Sequence, residues 1–210
     1  MAKKELKLSW LLCGSFIVSV GSSLLWPLTT IYMHNYLGQS LTTAGIVLFI
    51  NSLALIAGSY LGGRMYDKDR KNARRWLLGA IFLSTSAVFL LIFFNDWPTF
   101  AVLLFLDNFG GGIAITIGNS LATGIKEKSS RQVFNMLYFM QNVGVVIGTL
   151  LVGVLVEISI EWIFISNFIL FASYLFVVYR HYYVPKAALV KEQVAKKGQD
   201  KTPRRYVWFI

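Results

Sequence analysis

The sequence predicts an all-α membrane protein of six transmembrane helices with both termini in the cytoplasm, and three observations carry this. Of 210 residues, 56% are hydrophobic and only 14% are charged, against about 25% charged in a soluble domain; the mean hydropathy is +0.59. Six apolar stretches reach the length needed to cross a hydrocarbon core about 30 Å thick, roughly 20 residues of helix. All 20 Lys and Arg residues then sort to one side of the membrane that these stretches define.

The stretches cover residues 8–32, 42–66, 76–94, 99–123, 133–156 and 162–183. They are too long and too evenly apolar for the ten-residue alternating segments of a membrane barrel. The basic residues lie in the N-terminus (Lys3, Lys4, Lys7), in the second connection (Arg64 to Arg75), in the fourth (Lys126, Lys128, Arg131) and in the tail from Arg180 onward. The other connections carry only acids, Asp96, Glu157 and Glu161. Cytoplasmic loops collect Lys and Arg, so both termini face the cytoplasm of a multi-pass protein of the cell membrane, as an even number of spans also requires. The net charge of +10 therefore records orientation and excludes a nucleic-acid partner. Six Trp and ten Tyr suit the two interfacial belts of a bilayer. The single cysteine, Cys13, excludes an internal disulfide. The Lys-rich start invites a signal-peptide reading, but its apolar stretch is long and five more spans follow, so it is taken as a mature helix.

Polar residues inside a bilayer are costly and face protein or water, which makes their spacing informative. On the first span Ser15, Ser19, Ser22, Trp26 and Thr29 recur at helical spacing, as a cavity wall or as a packing seam, and Pro27 is expected to kink the outer half. On the second, Asn51, Gly58 and Gly62 share a face, and Gly58 with Gly62 permits close backbone approach. The third and sixth spans are the plainest. The fourth contains Asp107, the one charge inside the hydrocarbon, roughly 13 Å from the Pro98 end at 1.5 Å per residue. A carboxylate there is expensive to ionise without a cation, so Asp107 is a candidate for holding a proton or a cationic ligand. Gly111, Ala114 and Gly118 on its face leave space beside it. The fifth span places Asn135, Tyr138, Asn142 and Thr149 on one face, able to bind a ligand or to tie helices together, and Gly144 and Gly148 on another.

No catalytic or cofactor motif accompanies these stripes, and neither an enzyme nor a cofactor is expected. His34 and His181 fall near opposite membrane surfaces and cannot share a metal. There is no phosphate loop. Gly21-Ser22-Ser23 has no base to activate a serine.

The second connection reads Gly62-Gly63-Arg64-Met65-Tyr66-Asp67-Lys68-Asp69-Arg70-Lys71-Asn72. Its glycines allow a sharp turn. Asp67, near a helix C-terminus where the dipole disfavours an anion, calls for a cationic or helix-N-terminal partner elsewhere. The segment resembles the signature loop of the major facilitator superfamily, roughly Gly-x-x-x-Asp-(Arg/Lys)-x-Gly-(Arg/Lys)-(Arg/Lys). Gly63, Asp67, Lys68 and Lys71 match, while Arg70 and Asn72 depart from the pattern. Position between helices two and three of six, on the basic side, strengthens the match. The stretches Ile115-Thr116-Ile117-Gly118-Asn119, Arg131-Gln132-Val133-Phe134 and Gln141-Asn142 look like the proton-driven multidrug-exporter branch.

The resemblance implies an N-terminal six-helix half built as 3+3 inverted repeats, with a central cavity lined mainly by helices one, two, four and five. It implies a secondary transporter working by alternating access, with amphipathic or cationic small molecules exchanged for protons, as in multidrug efflux by antiport. Gly63, Asp67, Lys68 and Lys71 would belong to a lock between two halves, and Asp107, Trp26, Asn135, Tyr138 and Asn142 would be proton or substrate residues. Two departures stand out: Leu106 and Asp107 occupy the place of an Arg that many family exporters carry before Gly110-Gly111-Gly112, and Gly148 is followed by Thr149 where Gly-Pro is usual. Residues 1–183 then form the bundle, 184–205 a basic cytoplasmic linker, and 206–210 the start of a truncated seventh helix, with a C-terminal half as the missing partner. The alternatives are a half-size transporter that dimerises, or a non-transporting membrane scaffold.

Overall fold

The computed structural model describes residues 6–184. The basic linker beyond Val184 and the short apolar run at 206–210 lie outside the described residues. Six helices make up the fold: α1 (Leu8–Asn35), α2 (Leu41–Lys68), α3 (Ala73–Leu91), α4 (Thr99–Ala122), α5 (Ser130–Ile158) and α6 (Ile160–His181), with a 3-10 turn at Arg70–Asn72. Each is long and apolar enough to cross a membrane, and no strand occurs among the described residues.

Their ends follow from local chemistry. The Ser40 hydroxyl accepts from the Thr43 N–H at the start of α2, and Ser129 and Gln132 form a reciprocal capping box at α5, satisfying donors that a helix start leaves unpaired. At α1 the Leu8 N–H donates to the Glu127 carboxylate, 3.3 Å away, which ties the first helix to the α4–α5 connection. Between α1 and α2, Gly38 has φ +63°, a left-handed turn that favours glycine.

The second connection turns by a different device from the one its glycines suggest. α2 runs straight through Gly62 and Gly63 to Lys68. The Asp69 carboxylate makes the turn, accepting from the Asn72 side-chain amide at 2.7 Å and its N–H at 3.4 Å. Gly62 serves packing: a Cβ there would lie 2.9 Å from Ile113 Cα in α4.

The pairing of helices repeats. α1 packs chiefly on α5 and α6, and α4 chiefly on α2 and α3. Exchanging α1–α3 for α4–α6 maps each pair onto the other, with α3 against α6 mapping onto itself. Successive spans alternate direction, so the two triplets are inverted repeats. The same small-xxx-small device serves both: Gly58 and Gly62 of α2 meet the backbone of Phe109 and Ile113, while Gly144 and Gly148 of α5 meet the Phe16 and Val20 carbonyls, at 2.9 and 2.5 Å from an added Cβ. In lipid the hydrophobic effect does not drive helices together, and close backbone contact supplies much of the attraction.

Two apolar clusters close the ends. One, toward the basic loops, contains Leu11, Leu77, Ile117, Leu121 and Tyr182; the other, toward the acidic loops, contains Leu24, Leu28, Leu91, Phe100 and Phe164. At the basic end Arg74 of α3 donates to the Tyr179 carbonyl of α6 and lies 5.0 Å over the Tyr183 ring. Trp10 stacks on His181 at 3.4 Å.

Gly58→Ala and Gly148→Ala each force a methyl into a neighbouring backbone, and each is expected to cost about 1–3 kcal/mol. Gly118→Ala, with nothing within 4 Å of an added Cβ, is expected to leave stability unchanged or slightly raised. Thermal unfolding of the purified variants in detergent checks both.

Candidate functional site

α4 carries three consecutive glycines, and each faces something different. Successive helical residues are about 100° apart. An added Cβ at Gly110 would lie 2.6 Å from Ser84 Oγ and 2.8 Å from the Ala80 carbonyl of α3. At Gly112 it would run into the Leu55 carbonyl and lie 2.8 Å from the Ser59 nitrogen of α2. At Gly111, between them, it meets nothing within 4 Å. α4 is therefore pressed against α2 and α3 on two sides and open on the third.

The open side faces a cavity of about 380 Å³, within the range of small-molecule sites, about 300–1,000 Å³. Asp107, Gly111, Ala114 and Gly118 all line it, one turn after another along a single face. α1 forms the opposite wall through Ser15, Ser22, Trp26 and Thr29, and Asn51 and Ser52 of α2 flank it. The Asp107 backbone is fixed from behind, since the Ser84 hydroxyl donates to its carbonyl at 2.8 Å. The single ion pair among the described residues joins Arg70 and Asp67, so none of their cations pairs with Asp107.

Of the sequence-derived candidates, the cavity brings together Asp107 and Trp26, the latter 76% exposed. Asn135, Tyr138 and Asn142 do not join them. They lie on an exposed face of α5, where the Asn142 amide donates to the Tyr138 carbonyl at 2.7 Å. The cause is the rotation of α5. Gly144 and Gly148 hold one face against α1, Leu137 and Gln141 share that face and line the cavity, and the Asn135–Tyr138–Asn142–Thr149 stripe sits about 120° away round the helix. α5 thus contributes no more to the lining than α3 or α6. Ser19 likewise leaves the α1 stripe, because its Cβ is the neighbour of Gly144.

The loop residues form a separate group at the basic end. Asp67 finds its cation locally, in Arg70 at 3.4 Å; such an exposed pair is worth little by itself. Lys68 and Lys71 are exposed. Gly63 has ordinary contact, its Cβ position lying 3.8 Å from the Thr116 methyl.

Sequence reasoning passed over the plain third and sixth spans, yet Ser84, Tyr174 and Tyr182 all reach the cavity. Tyr182 donates to the Leu11 carbonyl at 3.3 Å. The fully buried Asn167 donates to the Gly21 carbonyl at 2.6 Å, joining α6 to α1. The signals were a Ser84-Thr85-Ser86 run and a lone amide, each set in an apolar span.

Gly111→Leu places a side chain in the cavity without disturbing either packed face of α4. It is expected to fold with a wild-type melting temperature while losing the binding or passage of any small molecule the wild type handles, as measured by ligand-dependent thermal shift and flux.

Comparison with known proteins agrees with this architecture. The family model of the Major Facilitator Superfamily matches residues 11–209. The chain is 39% identical over 169 residues, 80% of its length, to the uncharacterized MFS-type transporter YttB of Bacillus subtilis, and spans 42% of that protein. It is 23% identical over 152 residues, 72% of its length, to the uncharacterized MFS-type transporter YhjO of the same organism, and spans 37% of it. With six membrane helices in two inverted triplets around a cavity, and with that match, the chain belongs to the major facilitator superfamily.

Proposed function

We propose that the chain forms one half of a secondary active transporter that works by alternating access and exports cationic or amphipathic small molecules in exchange for protons. The observation that carries this reading is Asp107, the one charged side chain in the middle of a span, which borders a cavity beside the open face of Gly111. A carboxyl holding either a proton or a cation, but not both, couples the two movements, and intramembrane acids mark such relays. Ser84 helps by fixing the Asp107 backbone, so that the carboxyl is presented from a rigid turn.

The second half of the cavity would come from a further helix bundle. Exposed apolar side chains on α2 and α5, among them Phe49, Leu53, Phe139 and Leu150, offer it a surface. Gly63, Asp67, Lys68 and Lys71 would then act at the basic end as a lock between the halves, with Asp67 exchanging its weak local partner Arg70 for one on the other bundle. By the tendency of basic loops to stay on the cytoplasmic side, that end would face the cytoplasm, with both termini, in the cell membrane.

Two measurements test this. Efflux of a cationic dye from cells expressing the protein should depend on an inward proton gradient, and Asp107→Asn should abolish that dependence; wild-type flux and pH profile in Asp107→Asn would overturn the role of Asp107. Reporter fusions check the orientation. A reporter after Gln39 is expected to be active only as a periplasmic or extracellular enzyme, and one after Lys128 only as a cytoplasmic one.

A further inference from the structure

We infer that Gln141 of α5 is a specificity residue of the cavity, and that the cavity takes elongated cations whose far end carries a neutral hydrogen-bonding group, an amide or a hydroxyl. The inference rests on the proposal that Asp107 receives a cation, and adds a second point of recognition away from the charge.

Several polar side chains of the lining are already spent on backbone carbonyls. Thr29 donates to Leu25, Ser52 to Leu48, Ser84 to Asp107, Asn108 to Leu104 and Tyr182 to Leu11. Asn119 and Gln141 also line the cavity, and neither amide is spent on a partner among the described residues. Asn119 lies in the last turn of α4, at the basic end. Gln141 lies further in and is half-buried. It faces the cavity because Gly144, three residues on, seats α5 against α1, an added Cβ there lying 2.8 Å from Ser19 Cβ. The two helices run in the same direction, so Gln141 stands level with Ser15, another lining residue. An amide in such a place offers both a donor and an acceptor to whatever occupies the cavity. A ligand end that returns those bonds is accepted, whereas a methyl leaves the amide unpaired, at about 1–3 kcal/mol. Sites that hydrogen-bond a substrate reject analogues that lack the group.

The spacing defines the ligand. Counted from the α4–α5 connection, Gln141 stands about 16 Å along α5 and Asp107 about 22 Å along α4. α4 and α5 scarcely touch, whereas helices in contact have axes about 8–10 Å apart, so the cavity separates the two side chains laterally as well. A compact head group cannot meet both. A ligand that does is extended, with its neutral polar group roughly 10 Å from the charge. Gln141 stands nearer the basic loops than Asp107 does, and those loops disfavour a second positive end. The charged end therefore points toward the acidic loops and the neutral end toward the basic ones.

The test compares two radiolabelled trimethylammonium compounds in membrane vesicles from cells expressing the protein. In one a hexyl chain joins the ammonium to a primary carboxamide; in the other the same chain ends in a methyl group. The readout is the ratio of their transport rates, amide over methyl. Gln141→Met, similar in shape but without the amide, is expected to lower that ratio about tenfold, the size of one lost donor–acceptor pair. An ethyl-chain carboxamide is too short to span the two groups, and its rate is expected to be the same in both proteins. An unchanged hexyl ratio in Gln141→Met, or equal loss of both hexyl compounds at the wild-type melting temperature, would overturn the inference. Gln141→Leu, read in the same way, replaces the methionine variant if that one melts early. Asp107→Asn separates the two readings: if both hexyl compounds still move at wild-type rates, the role of Asp107 fails while the Gln141 ratio continues to judge the amide.

Discussion

The structure depends on how closely two helices can bring their backbones together inside lipid. Acyl chains solvate leucine as well as another helix does, so the hydrophobic effect that assembles soluble bundles is missing. Attraction must come from dense contact, and glycine permits the densest. α4 exploits this on two sides at once, through Gly110 toward α3 and Gly112 toward α2. α5 does so on one side, through Gly144 and Gly148 toward α1. Everything that has a position in the cavity has it because these contacts set the azimuth of each helix.

The inverted repeat follows from the same constraint. α2 and α5 occupy equivalent places, and both carry glycines four residues apart that seat them on α4 and α1. Those two helices are left with one unpacked flank each. The unpacked flanks face one another, and the cavity is the space between them. A pocket at the symmetry centre is thus a by-product of packing each triplet against the other, and the chemistry on its walls is free to be asymmetric: hydroxyls and Trp26 on α1, the Asp107 carboxyl and the Asn108 and Asn119 amides on α4.

Periodicity and charge made much of this readable in advance. Hydropathy located the helices, and the sorting of Lys and Arg separated the two ends. Helical spacing correctly grouped Asp107, Gly111, Ala114 and Gly118. What spacing cannot supply is where a face points. The amide and phenol stripe of α5 is a true stripe, but the glycines on another face of that helix decide its direction, and they turn Asn135, Tyr138 and Asn142 outward. Ser84, Asn167 and Tyr182 were illegible for the converse reason: a single polar atom in an apolar span leaves the hydropathy unchanged, and only its partner on another helix gives it meaning. Asp67 illustrates a third limit: a search for a distant partner overlooks the local one, Arg70, three residues away.

The bonds that join α6 to α1 bear on how the protein is made. Asn167 reaches the Gly21 carbonyl across 146 residues of sequence, and Tyr182 reaches the Leu11 carbonyl across 171. Helices enter the membrane singly and associate afterwards, so during synthesis the first helix waits for the sixth. Until α6 emerges, α1 can seat against α5 but one flank stays uncovered, and contacts of such long range form late. Closure of the ring is therefore the last step in assembling this six-helix bundle, and a chain stopped before Asn167 leaves it without its closing seam.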